Sequence, residues 1–221
     1  KFFKIIKKKV VQNYLIHLKE CMIKSCITCL VIFLTFQEIE ATEFDFNDPK
    51  GVNNIIFQMD APLESINGSG DGISGLVTFD PEKPEDTKGK IILNASSLHV
   101  GNPVLKEHML GKDWLDVKKY PTISFTLNKL HNLKKEGIHY LADAQGKMNI
   151  CNVTLDMKIP VKITYLKDML EKRNRVKGDL LVLRSKFSVK RDDFNIQTGE
   201  KLEKVANQID ISLNVAGACP L

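Results

Sequence analysis

Alternation of apolar and polar residues with a period of two dominates the chain from about Phe44 onward. In residues 153–165 every second side chain is apolar over seven positions. A period of two is typical of β-strands that bury one face, so this stretch predicts a long strand. Pro160 falls on its polar phase, which predicts an edge or a bulge there. The same alternation predicts further strands at residues 77–79, 91–95, 123–127, 180–187 and 209–215.

Turn-forming residues separate the predicted strands. Glycine, proline, asparagine and aspartate cluster at residues 67–72, 80–86, 145–146 and 198–199, and these residue types favour turns. The short spacing leaves no room for crossover helices between the strands. The pattern therefore predicts an all-β fold, either an antiparallel sandwich or a barrel.

One segment breaks the β pattern. Asn102 is followed by Pro103 and by a run that ends at Gly111, which is the order of N-cap, first-turn proline and glycine stop that marks a helix. Leu105 and Met109 would share one face of this helix, so we expect it to cover one end of the sheet as a lid or plug. A second short helix is predicted at residues 166–173.

The excess of positive charge belongs to the start of the chain. The formal charge is +5 over 221 residues, and residues 1–41 alone contain seven lysines against three acids. The remainder is nearly neutral. Because a nucleic-acid site needs a clustered basic face, this balance argues against nucleic acid as a partner.

The first 41 residues are typical of a leader. Met22 begins a short basic segment, and residues 26–36 form an apolar run that is too short to cross a bilayer but fits a secretory signal. We expect cleavage near Ala41, which leaves residues 42–221 as one exported domain without a membrane span. An uncleaved N-terminal anchor or a buried helix is the alternative. Export would permit Cys151 and Cys219 to pair.

Several motifs follow one another in a recognisable order. They read GLVTFD at residues 75–80, ASSLHVG at 95–101, HMLGKDWLDV at 108–117, YPTISF at 120–125, GKMNI at 146–150 and RDDF at 191–194. In this order they resemble the YceI-like family of exported lipid-binding proteins, from about Ile55 to Val215. Asn152 and Asn195 stand where that family usually has glycine, and asparagine tolerates the left-handed conformation. The arginine that the family tends to have before His108 is absent.

The resemblance implies a lipocalin-like antiparallel β-barrel of about eight strands, in the periplasm or outside the cell. Its interior would hold a polyisoprenoid, an isoprenoid quinone or a similar amphiphile. The alternating apolar residues agree with this, because they would line a dry cavity. The residues expected to contact the ligand are Phe79, Leu93, Leu98, His108, Met109, Trp114, Phe125, Leu127, Met157, Phe187, Arg191 and Phe194.

The polar candidates each have two interpretations. Arg191, with Asp193 and Phe194 beside it, could bind an anionic head group, or it could make a cross-strand ion pair beside a buried ring. His108 could contact the ligand or donate a hydrogen bond to a neighbouring strand. Trp114 is expected to plug the core and to touch whatever lies inside the barrel.

Catalytic and metal-binding patterns are missing from the sequence. No two histidines have the close spacing of a metal site, and there is neither a nucleophile elbow nor a phosphate loop. We therefore expect a binding protein without a cofactor, and a homodimer is left open. The alternatives are an enzyme that acts on such a lipid, with His108 and Glu107 or Asp113, and a structural surface protein with a filled barrel. An open cavity would favour the binding protein.

Overall fold

The structure, a computed structural model, describes residues 41–221, so residues 1–40 of the predicted leader lie outside the described residues. One antiparallel sheet closes on itself to form a barrel. Its strands are β1 (Thr42–Asp45), β2 (Asn54–Asp60), β3 (Ser65–Gly70), β4 (Ile73–Phe79), β5 (Lys88–Asn94), β6 (His99–Val100), β7 (Thr122–Glu136), β8 (His139–Ile150), β9 (Val153–Leu166), β10 (Gly178–Lys190) and β11 (Gln208–Pro220).

The eleven strands occupy eight strand positions around the barrel. Both β1 and β2 pair with β11. On their other side, β1 pairs with β4 and β2 pairs with β3. In turn, β4 pairs with β5 and β3 pairs with β6. Thus β1 with β2, β3 with β4, and β5 with β6 each form one interrupted strand. With β7 to β11 they give an antiparallel barrel of eight strands, which confirms the barrel that the family resemblance implied.

Two short helices accompany the barrel. Helix α1 (Pro103–Leu110) begins where predicted, because the side chain of Asn102 accepts the backbone N–H groups of Val104 and Leu105 at 2.9 and 3.2 Å. Helix α2 (Leu170–Asn174) lies between β9 and β10. We call the barrel end that carries α1 and the β8–β9 hairpin the helix end, and the opposite one the closed end. Neither helix is long enough to cross a bilayer.

Two of the predicted turns are wrong. Residues 67–70 belong to β3, and residues 145–146 lie inside β8. The glycines serve close packing instead: a Cβ on Gly68 would lie 2.1 Å from the Phe57 ring, and one on Gly146 would lie 2.2 Å from the carbonyl oxygen of Thr126.

The β8–β9 hairpin turns at Cys151 and Asn152, whose φ angles are 49° and 63°. Two consecutive positive φ angles are typical of a tight two-residue hairpin. Asn195 also has a positive φ, 57°, so both asparagines adopt the left-handed conformation that the sequence analysis expected of them. Cys151 lies at the helix end and Cys219 near the closed end, and the two are not paired in the structure.

The barrel wall is incomplete between β9 and β10. These strands pair only from Leu166 with Leu180 to Val161 with Ser185, whereas β10 pairs with β11 along its whole length. Residues 153–160 of β9 and 186–190 of β10 are therefore not joined by a ladder, and we call this gap the β9–β10 seam. Pro160 lies where the seam begins, the edge position that its polar phase predicted.

A buried carboxylate shapes the break between β1 and β2. Asp48 Oδ2 accepts the N–H groups of Val52 and Asn53 at 3.0 and 3.2 Å and a hydrogen bond from Arg173 at 2.8 Å. Burial acts to raise the pKa of Asp48, but the backbone hydrogen bonds and the Arg173 charge outweigh it and hold the pKa below its ordinary value. The ionised carboxylate therefore stabilises this loop.

Replacing Asp48 with asparagine is expected to lower the free energy of unfolding at pH 7 by about 1–2 kcal/mol. Because the pKa is lower in the folded state, the carboxylate contributes fully above the ordinary aspartate pKa of about 3.9 and loses its contribution as the pH falls below that value. Thermal unfolding of the unmodified protein and of Asp48→Asn, measured from pH 7 to pH 3, should show a difference in Tm that becomes smaller in acid. Asp71→Asn, which changes an exposed aspartate, is the control. An equal difference in Tm between Asp48→Asn and the unmodified protein at pH 7 and pH 3 would contradict the role of the Asp48 charge.

Candidate ligand-binding cavity

The barrel encloses a cavity of about 380 Å³. Side chains from both the short strands and β7 to β11 form its walls, and most of them are valine, isoleucine, leucine, methionine or phenylalanine. Their alternation with outward polar residues is what places them there, since successive side chains of a strand point to opposite faces. An apolar cavity of this size falls within the range of small-molecule sites.

Ten of the twelve sequence-predicted contact residues lie in the cavity wall. They are Leu93, Leu98, His108, Met109, Trp114, Phe125, Leu127, Phe187, Arg191 and Phe194. Phe79 and Met157 lie outside the wall. Contact of these twelve residues with a ligand stays a prediction.

Phe79 belongs to an aromatic plug at the closed end rather than to the wall. Its ring lies 5.4 Å from that of Tyr140 and 6.0 Å from that of Tyr165, and Phe44 meets Tyr165 edge-on at 6.2 Å. The tyrosine hydroxyls are anchored, since Tyr140 donates to the carbonyl of Pro81 and Tyr165 to the carboxylate of Asp179. Burial, then this hydrogen bond, raises the pKa of Tyr165, so its hydroxyl keeps its proton.

Met157 lies beside the seam. It pairs with Gly146 on β8 and has no partner on β10. It is half-buried and packs against a second apolar cluster, whose buried members are Met148, Ile150, Ile159, Val189, Phe194 and Ile196. The missing β10 partner leaves it between the cluster and solvent instead of in the cavity wall.

At the helix end the cavity is bordered by α1. Leu105 and Met109 face inward as predicted, whereas Val104 is 60% exposed. His108 borders the cavity and is also exposed, and within residues 41–221 no hydrogen bond joins its ring to a neighbouring strand. Of its two predicted interpretations, the strand hydrogen bond is therefore not the arrangement found.

Arg191 is buried and organises the loop between β10 and β11. It is 1% exposed. All five N–H donors of its guanidinium group point at backbone carbonyls, those of Ile196, Gln197, Glu200, Val205 and Ala206. Within residues 41–221 the predicted cross-strand ion pair of Arg191 is not formed, and no donor is left over for a head group.

Contacts around Trp114 connect the loops at the helix end. The Arg191 guanidinium and the Lys201 ammonium lie 5.6 and 5.7 Å from the Trp114 ring centroid, close enough for cation–π attraction. Gln197 donates to the carbonyl of Asp113 at 2.7 Å, which joins the β10–β11 loop to the segment after α1. The cavity mouth is thus bordered by a helix and loops that are fastened to one another.

Some wall residues were missed by the sequence analysis. Phe57 and Met59 on β2 and Ile66 on β3 line the cavity. The apolar residues at 55, 57 and 59 could have predicted β2. The glycines of residues 67–72 instead led to the prediction of a turn where β3 lies. Within the described part of the chain, no three histidine, cysteine, aspartate or glutamate side chains cluster as metal ligands would.

The fold and the cavity define a class of protein, the antiparallel barrels that enclose an apolar cavity. The YceI-like domain matches residues 39–216, so the chain belongs to the YceI-like family. The predicted resemblance is confirmed. Among curated proteins, the UPF0312 protein of Yersinia pestis (strain Pestoides F) is 25% identical over 150 residues, which cover 68% of this chain and 72% of that protein.

Solved structures share the fold. BcnA of Burkholderia cenocepacia superposes with a TM-score of 0.60 at 22% identity, over 74% of this chain and 95% of that one. A polyisoprenoid-binding domain of Saccharophagus degradans, implicated in plant cell wall breakdown, superposes with the same TM-score at 10% identity, over 82% and 100%. At these identities the likeness concerns the architecture of the barrel.

Proposed function

We propose that this protein is an exported binding protein that holds an isoprenoid lipid, either a polyisoprenoid or an isoprenoid quinone, or a similar amphiphile, for transport, storage or stress response. The observation that carries the proposal is the apolar cavity, which is closed by aromatic rings at one end and bordered by polar groups at the other. The Saccharophagus degradans domain, described as polyisoprenoid-binding, has the same barrel. Burial of a lipid chain would contribute about 25 cal/mol per Å².

The open cavity favours binding over a purely structural role. A structural barrel would fill its interior with side chains, as small barrels can, whereas this one retains about 380 Å³. Export to the periplasm or the cell exterior rests on the apolar run at residues 26–36.

The test is lipid analysis of the natively purified protein. Residues 42–221, prepared without detergent from cells that make isoprenoid lipids, are expected to carry about one isoprenoid molecule per chain. Denaturing mass spectrometry would detect it. Delipidated protein should then take up added polyprenol in preference to a fatty acid of comparable length. Repeated absence of a ligand, together with no uptake of polyprenol, would overturn the proposal.

A further inference from the structure

Positive charge is concentrated on one half of the barrel wall. The five neighbouring strands β5, β7, β8, β9 and β10 contain eleven lysine and arginine residues and four acidic ones. The six other strands contain four acidic residues and neither lysine nor arginine. Residues 42–221 are nearly neutral as a whole, so the net charge does not show that the basic residues of the strands lie on one side of the barrel.

Most of these basic side chains point away from the cavity. On β9, Ile159 and Val161 line the cavity, so Lys158 and Lys162 lie on the outer surface. The same alternation applies to the neighbouring strands. We call the outward, exposed set, together with the exposed Lys90, which also borders the cavity, the basic face; it comprises Lys88, Lys90, Lys129, Lys134, Lys147, Lys158, Lys162, Arg184, Lys186 and Lys190.

Most of this charge is not neutralised within the described part of the chain. Lys147 pairs with Asp156 at 3.3 Å and Lys158 with Asp143 at 3.0 Å. The other eight members of the basic face have no ion pair among residues 41–221. The face therefore presents a positive field that is free to attract an anionic partner.

The β9–β10 seam opens on the same face. Along the seam no backbone ladder separates the cavity from the outside, and the wall consists of side chains such as Phe187, Val189 and Phe194. Lys158 and Lys186 flank it. The part of the cavity wall that lacks a backbone ladder thus lies within the half of the barrel wall that carries the lysines.

We infer that the basic face docks on a bilayer rich in anionic lipids and sets the seam against the membrane surface. Lysines held near an anionic leaflet are attracted to it within about one Debye length. Nine of the ten basic residues are lysine, and no aromatic side chain is exposed on these five strands. Single-stranded nucleic-acid sites use aromatic stacking, so the surface favours a bilayer over a nucleic acid. The inference does not depend on which ligand fills the cavity.

Vesicle flotation tests the inference. Residues 41–221 form a compact unit that contains all eleven strands, and this protein is mixed with vesicles of phosphatidylcholine alone or with a third of phosphatidylglycerol. We expect binding only to the anionic vesicles and a steep loss between 50 and 500 mM salt. The quadruple variant Lys88→Glu, Lys129→Glu, Lys162→Glu and Lys186→Glu should bind at least about 100-fold more weakly.

A second quadruple variant tests whether the position of the lysines, and not only the net charge of the protein, determines binding. Lys83→Glu, Lys112→Glu, Lys118→Glu and Lys177→Glu change the net charge equally but lie in exposed loops, and we expect it to bind within about threefold of the unmodified protein. Both variants should keep the circular dichroism spectrum of the parent. Equal losses in the two variants, equal binding to neutral vesicles, or stronger binding to DNA than to anionic vesicles would each overturn the inference.

Discussion

Replacing Arg191 with methionine is expected to lower the free energy of unfolding by about 3–5 kcal/mol, which for a chain of this size corresponds to a fall of about 6–20 °C in Tm. Methionine resembles arginine in length and can keep the apolar contacts of the side chain. It cannot donate to the five carbonyls that the guanidinium satisfies. The loss therefore measures the hydrogen bonds rather than the packing.

The loop between β10 and β11 should lose its order in the same variant. Lys201 and Lys204 lie in the segment that Arg191 holds, so limited trypsin digestion should cut there faster. Arg184→Met is the control, because Arg184 is exposed and donates to only two carbonyls, those of Leu183 and Val215. If both variants lost the same stability, Arg191 would have no special role in this loop.

The fold was predictable from the sequence because its strongest signals are local. The alternation along β9 predicted a half-buried strand, and the Asn102 and Pro103 pair predicted the start of α1. Both follow from short-range geometry, the period of a strand and the unpaired N–H groups of a helix start. The resemblance to a known family then distinguished a barrel from a sandwich.

The errors arose where residues are chosen for distant contacts. Gly68 and Gly146 were interpreted as turn residues, but each accommodates a neighbour across the sheet, the Phe57 ring or the Thr126 carbonyl. The position of Phe79 in the plug instead of the wall depends on Tyr140 and Tyr165, which are 61 and 86 residues further along the chain. Period and composition carry no information about such pairs.

Net charge was misleading for a related reason. Near-neutrality of residues 42–221 argued against a clustered basic face, yet the strands from β5 to β10 gather lysines on one side of the barrel. Which residues share a face depends on strand order and register. The sequence predicts the direction of each side chain within its strand but not the neighbours that the closed sheet gives it.

Filling the cavity should abolish uptake of lipid without unfolding the barrel. Ala144 lies on β8, lines the cavity and is paired with Ile159. In the variant Ala144→Phe the added ring would occupy space that the ligand needs, and we expect uptake of polyprenol by delipidated protein to fall at least about tenfold, a loss of about 1.4 kcal/mol in binding free energy. Because the ring fills an apolar void, Tm of the delipidated protein should stay the same or rise.

The neighbouring position provides the control. Gln145 is exposed and points outward from the same strand, so Gln145→Phe adds the same ring on the opposite face. This variant should take up polyprenol within about twofold of the unmodified protein. Full uptake by Ala144→Phe would place the lipid outside the cavity, whereas equal losses in both variants would show that the added ring disturbs β8 and not the site. Loss in Ala144→Phe alone, with Tm preserved, locates the ligand between β8 and the opposite wall of the barrel.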